Sequence, residues 1–228
     1  MKQYKYRHEL KFKISKSAAE VLKQKLSLIL EKDKFAYYKD GSYLIKSLYF
    51  DNRESSSYYE KLDGVLYRQK YRIRIYNNDD SFIRLEKKLK HNTYTAKEQI
   101  LISKTIYSKI INGKINEIDD ADGLLLDFLN DYKTKGLMPS IIVSYHRTAF
   151  IYPISEVRIT FDSDIQSGLY NYDLFNEDMP KYSMDEEGKI VLEVKFNEVL
   201  PLHIANILQD IPVCREAVSK FAICRKIK

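Results

Sequence analysis

The sequence predicts an α+β fold in which eight strands close into a β-barrel with a charged interior and flanking helices. Three observations carry this. Strand-length segments alternate charged and apolar residues. Their charged faces concentrate Lys and Arg instead of mixing signs. Helical segments with apolar stripes lie between them, able to cover the apolar faces of a sheet whose charged side points inward. The clearest segment is Arg68-Gln-Lys-Tyr-Arg-Ile-Arg74, in which Arg68, Lys70, Arg72 and Arg74 share one face while Tyr71 and Ile73 share the other.

Residues 6–14 read as the first strand, with Arg7, Glu9, Lys11 and Lys13 opposed to Tyr6, His8, Leu10, Phe12 and Ile14. Segments 43–51 and 68–76 follow, then 82–90, where Arg84, Glu86, Lys88 and Lys90 oppose Ile83, Leu85 and Leu89. Asn77-Asn78-Asp79-Asp80 joins the last two as a hairpin loop. Segments 94–101 and 141–149 alternate less strictly and carry Lys97 and Arg147. Glu156, Arg158, Thr160 and Asp162 then oppose Val157, Ile159 and Phe161, and in 190–196 Glu193 and Lys195 oppose Leu192, Val194 and Phe196.

Helical periodicity fits the connections. Ser17-Ala-Ala-Glu20 reads as a capping box opening a helix to about Glu31, with Val21, Leu22, Leu26, Ile29 and Leu30 apolar. Further helices are expected at 103–112, 122–133, 201–209 and 212–222, the last with Pro212 in its first turn. Residues 163–189 show no period and read as a long loop.

A chain of 228 residues suits one domain, 1–228, and a net charge of +6 raises the odds of a phosphorylated partner without deciding it. The first residues lack an apolar signal core, and no run of about 18 apolar residues appears, so the expected location is cytoplasmic. Cys214 and Cys224 match no metal or CxxC spacing and read as packed thiols.

A charged strand face is ordinarily the solvated side of a half-buried sheet. Here the excess of cations on facing strands argues otherwise, because like charges opposite each other are destabilising. Burying them unpaired costs several kcal/mol per ion, so the interior has to stay wet, hold carboxylates and take up an anion such as phosphate. Glu9, Glu86 and Glu193 supply the carboxylates.

Eight short stretches occur in order: Arg7-His-Glu-Leu-Lys11, Ser47-Leu-Tyr-Phe-Asp51, Tyr71-Arg-Ile-Arg74, Leu85-Glu-Lys-Lys88, Arg147-Thr-Ala-Phe150, Val157-Arg-Ile159, Val191-Leu-Glu-Val-Lys195 and Ser219-Lys-Phe221. Together they resemble the vacuolar transporter chaperone (VTC) domain, the polyphosphate polymerase branch of the triphosphate tunnel (CYTH-like) metalloenzymes. The resemblance implies an antiparallel eight-stranded tunnel. It also implies transfer of the terminal phosphate of ATP to a polyphosphate chain, with Mn²⁺ or Mg²⁺ as cofactor.

By position, Lys11, Arg72, Arg74, Lys88, Lys97, Arg147, Arg158 and Lys220 resemble the family's phosphate-binding residues, and Glu193 its metal-binding carboxylate. Of these, Arg72, Arg74, Lys88, Lys220 and Glu193 are the catalytic candidates, with Glu86 and Glu9 as softer metal candidates. Arg clamps phosphate oxygens bidentately, Lys supplies a movable charge, and carboxylates hold a divalent ion against phosphates. The hydrolase and cyclase branches carry Glu-x-Glu-x-Lys on the first strand, whereas this chain has Arg7-x-Glu9-x-Lys11, which favours the polymerase branch. The family's SPX module and membrane segments are not seen in this chain, so translocation of product would fall to membrane-associated partner proteins. A P-loop is absent.

Three functions use such a tunnel: a polymerase, a triphosphatase in which Glu9 or Glu86 positions water, and a polyphosphate-binding module without turnover. Polymerisation needs no dedicated base, in keeping with four histidines (His8, His91, His146 and His203) that form no shared constellation. Glu193 argues against a pure binder, which gains nothing from a carboxylate except a partner for Lys195 or Arg158. Nucleic-acid binding is the reading left for a basic, Tyr-rich chain, but most of its nineteen tyrosines read as core or barrel wall, so no nucleic-acid partner is expected.

Overall fold

A computed structural model describes residues 5–168, 170–184, 188–211 and 216–226. Its long strands are β1 (His8–Ser15), β3 (Ser42–Asp51), β4 (Tyr67–Tyr76), β5 (Ile83–His91), β6 (Tyr94–Ile102), β7 (Met138–Tyr152), β8 (Val157–Gly168) and β10 (Lys189–Phe196). They form one antiparallel path, β1-β10-β8-β7-β3-β4-β5-β6. Two short strands, β2 (Glu31–Lys32) and β9 (Tyr182–Ser183), flank it on β7 and β8. Asn77 and Asn78, both at positive φ, make the β4–β5 turn expected from their sequence.

The expected closed barrel is corrected to a curled sheet that is not closed by a strand ladder. Among the described residues its edges, β1 and β6, are tied by one pair, Arg7 and Thr95, whose backbones exchange hydrogen bonds of 2.9 and 3.1 Å. Next to that pair side chains bridge the gap, with Glu9 accepting from Thr95 Oγ1 at 3.1 Å and from Lys88 Nζ at 2.9 Å. Charged residues on both edges, Lys11 on β1 and Lys97 on β6, keep the seam polar, as charges on sheet edges do.

The inverted pattern holds. Helices α3 (Lys104–Ile111) and α4 (Gly123–Thr134) bury Tyr107 and Phe128 against Ile73 and Leu85, from the apolar faces of β4 and β5. Helices α1 (Lys16–Ser27) and α5 (Leu202–Gln209) bury Leu22, Leu26 and Ile204 against Phe161 and Leu192 of β8 and β10. Each such apolar side chain contributes about 1.5–3 kcal/mol by burial. A third cluster lies on the inner side, where Phe221 and Cys224 of α6 (Lys220–Arg225) pack against Ile45, Val143 and Tyr145.

Some boundaries differ from expectation. Ser15, not Ser17, caps α1, its Oγ accepting from Ala18 N at 3.1 Å, because β1 runs straight into the helix. Helix α2 (Ser56–Leu62) was not legible, since it is only seven residues long and has no buried residue of its own. It is held from below by Asp51, whose carboxylate accepts from Ser57 N and Tyr58 N at 2.9 and 3.2 Å. Strand β8 extends to Gly168, into the expected loop. Pro212 and Cys214, and with them the start of the helix expected at 212–222, lie outside the described residues. No helix among the described residues is long and apolar enough to cross a membrane.

Candidate functional site

Inward-facing residues of the sheet, together with α2 and the segment leading into α6, enclose a cavity of about 450 Å³. Among the described residues, eleven Lys and Arg side chains line it against three glutamates, Glu9, Glu193 and Glu216. Strand alternation explains this directly, because every second residue along β1, β4, β5 and β10 returns a charged side chain to the same face.

In the buried half every cation has a fixed partner. Arg147 donates from Nε and Nη2 to both oxygens of Asp162, at 2.6 and 2.8 Å, and Lys220 Nζ lies 2.5 Å from Asp162 Oδ2. Burial pushes the Asp162 carboxyl up, but Arg147 and Lys220 outweigh it and bring it down to about 2. Arg72 holds Glu86 through Nε and Nη2, each at 2.6 Å, and donates from Nη1 to Tyr49 Oη at 2.8 Å. Arg74 donates to Ser47 Oγ at 3.0 Å and to Tyr145 Oη at 3.1 Å.

Glu9 and Glu193 sit diagonally across the β1–β10 ladder, with Lys11 Nζ between them, 2.9 Å from Glu9 and 3.6 Å from Glu193. Burial and the neighbouring Glu193 push Glu9 up, yet Lys11 and Lys88 bring it down to about 2. Glu193 likewise resists burial and stays well below the usual carboxylate range, held by Lys195 at 3.3 Å and Lys11 at 3.6 Å. Lys195 is pushed down to about 8, because burial outweighs Glu193, a carboxylate shared with Lys11 and Arg147.

The half-buried rim is different. Among the described residues no carboxylate lies within 4 Å of Lys61, Arg68, Lys70 or Lys90. Lys70 lies over the Phe221 ring, 4.2 Å from its centroid, and burial, eased by Asp51 but reinforced by Arg68 and Lys61, pushes it down to about 7.

Of the residues singled out in the sequence, Glu9, Lys11, Arg72, Arg74, Lys88, Arg147, Glu193 and Lys220 meet at this cavity. Glu86 stands behind it, fully buried, with Lys97 Nζ 3.3 Å from its second oxygen. Arg158 faces elsewhere and is held by Asp33 and by Tyr43 Oη. Sequence reasoning named Lys195 only as a salt-bridge partner for Glu193, which it is at 3.3 Å, and gave no role to Asp162, Tyr49, Tyr145 or Lys61. The first three of these share the inward parity of their strands, which was a usable signal. Lys61 is on the unexpected α2 and had none.

Among the described residues, no three His, Cys, Asp or Glu gather into a site able to hold a metal by themselves. The adjoining, ionised pair Glu9 and Glu193 does fit a divalent ion of the Mg²⁺ kind, which takes one or two carboxylates and completes its shell with water and substrate phosphates.

The family model described as VTC domain matches residues 6–227. The chain belongs to the VTC domain family. Among solved structures, a candidate adenylate cyclase (bh2851) from Bacillus halodurans is 15% identical, covering 90% of this chain and 88% of that one, with a TM-score of 0.49. The PH1819 protein of Pyrococcus horikoshii OT3 is 13% identical, covering 97% and 100%, with a TM-score of 0.49. At such values these likenesses carry no argument about activity. Among curated proteins no relative matches the chain. Within this VTC domain the inward rows of Lys and Arg line one basic cavity, and the paired carboxylates lie inside it.

Proposed function

We propose that this VTC domain is a polyphosphate polymerase-like phosphotransferase that moves the γ-phosphate of ATP onto a polyphosphate chain within its basic cavity, with Mn²⁺ or Mg²⁺ as cofactor. The observation that carries this reading is the cavity lining, eleven cations to three carboxylates among the described residues, which suits a ligand of several negative charges. Arg72, Arg74 and Arg147 line the cavity with guanidinium charge whose remaining N–H groups can donate to phosphate oxygens, while Lys11, Lys88 and Lys220 supply point charges that follow charge as it shifts. Asp162 and Glu86 fix the arginines before any ligand arrives, so little reorganisation accompanies charge development.

In the transfer, a terminal oxygen of the acceptor forms a bond to the γ-phosphorus, and the bond from that phosphorus to the β–γ bridging oxygen breaks. The electron pair leaves on the β-phosphate of ADP. The acceptor is already anionic, so no residue has to remove a proton, and positioning and charge stabilisation carry the catalysis. Glu193, with Glu9, would hold the divalent ion, whose chemistry is to neutralise charge shared by the β- and γ-oxygens.

The test is incubation of purified protein with ATP and Mn²⁺ or Mg²⁺, followed by phosphorus NMR and a polyphosphate gel. Chains with stoichiometric ADP are expected. Free phosphate alone would replace the polymerase with a triphosphatase, and tight binding without products would make the domain a polyphosphate binder.

A further inference from the structure

Beside the phosphate cavity lies a second one of about 420 Å³, and the two share three residues, Arg68, Lys70 and Lys90. Its position follows from strand length. The β3–β4 ladder ends at Tyr49 and Arg72, and β3 turns at Asp51 into α2, so residues 67–71 of β4 pair with β5 but not with β3. A side opening results between α2 and that stretch of β4.

The walls of this opening differ in kind from those of the phosphate cavity. Tyr67 and His91 are cross-strand partners whose rings stack 4.2 Å apart at 26°, and Tyr6 meets His91 edge-on. Tyr67 is 68% exposed, so one side of this aromatic pair is presented to the opening. Opposite, α2 offers the Glu60 carboxylate and the Ser57 hydroxyl, an acceptor and a donor. A flat ring to stack, hydroxyls to bind and a phosphate tail to thread past Arg68, Lys70 and Lys90 describe one ligand class.

We propose that this side cavity is a nucleoside subsite: the base of a nucleoside triphosphate stacks on Tyr67, its ribose lies along α2, and its phosphates enter the tunnel past Arg68 and Lys70. The proposal rests on the phosphotransferase reading and deepens it, since it makes the donor a nucleotide in preference to inorganic triphosphate. Stacking on an aromatic side chain is sequence-tolerant, so the subsite accepts any base and favours the larger purines.

The experiment is calorimetric titration of the protein with ATP and, separately, with inorganic tripolyphosphate, using wild type, Tyr67→Ala and His91→Ala. Both residues are exposed, so neither change removes buried packing. In Tyr67→Ala, ATP affinity is expected to fall about tenfold or more, with tripolyphosphate affinity unchanged. ATP affinity unchanged in both variants overturns the subsite while leaving the phosphate reading intact, as does equal loss for both ligands. Wild-type protein that binds neither ligand overturns the phosphate reading and the subsite together.

Discussion

Replacing Asp162 by Asn removes one negative charge from the most tightly paired point of the cavity. The side chains of Arg147 and Lys220 are only 7% and 10% exposed, and the next carboxylate, Glu193, is 3.7 Å from Arg147. Removing one partner from a buried ion cluster costs about 3–5 kcal/mol. The fall of the carboxyl from its ordinary 3.8 to about 2 gives a second measure, roughly 2–3 kcal/mol at about 1.4 kcal/mol per pH unit. It is smaller because a protonated Asp162 still hydrogen-bonds. At about 2–4 °C per kcal/mol for a protein of this size, the melting temperature is expected to drop by about 6–20 °C. Tripolyphosphate at about a hundred times its dissociation constant returns about 2.7 kcal/mol by mass action. The assay is differential scanning calorimetry with and without tripolyphosphate. A drop below about 2 °C would show that Arg147 and Lys220 are solvated in solution and refute the reasoning. The sign with pH is also fixed. A depressed carboxyl contributes stability above its unfolded value of 3.8, and that contribution is lost as pH falls toward about 2.

Arg72→Ala is expected to lower tripolyphosphate affinity ten- to a hundredfold by calorimetry, at about 1.5–3 kcal/mol for charge-assisted contacts, and to lower the melting point because Glu86 loses its bidentate partner. Glu193→Gln should keep ATP binding and lose metal-stimulated product formation, and full turnover in the phosphorus NMR assay would remove Glu193 from the metal site. Arg158→Lys should leave tripolyphosphate affinity unchanged, because Arg158 is held by Asp33 and Tyr43 outside the cavity lining. Lys70 and Lys195, pushed down to about 7 and about 8, lose charge as pH rises through that range. A polyanion favours their charged forms, so its affinity should fall from pH 7 to 9, with proton uptake on binding near neutrality, measured by titration in buffers of different ionisation enthalpy.

The strands were legible because their alternation is enforced twice, by apolar contact with helices outside and by charge inside. Even the weaker pattern of residues 94–101 held, as Ala96 and Ile102 are buried and Lys97 faces in toward Glu86. The failure to close was not legible, since nothing in the alternation of β1 or β6 states how many backbone pairs their meeting retains. Arg158 shows the limit of parity. It has the inward phase of Thr160 and Asp162, but Asp33 arrives from a connection without periodicity and captures it. Lys46 shows the converse, an outward residue that a strand pattern assigns to solvent. It is 1% exposed because the chain at Leu174 folds over it and accepts its hydrogen bond at 3.2 Å.

In the β4–β5–β6 ladder, Arg68 faces Lys90, Lys70 faces Lys88, and Lys88 faces Lys97. Hydrogen bonding draws these strands together while their side chains push them apart. Ligand affinity and fold stability are thus set against each other in the same residues. An apolar substitution such as Lys90→Met, at a cation that faces Arg68 and has no carboxylate among the described residues within 4 Å, relaxes the sheet and weakens its hold on polyanions at once. A search for more stable variants of this domain would drift toward neutral residues along these rows, and the most robust sheets it returned would be the poorest binders.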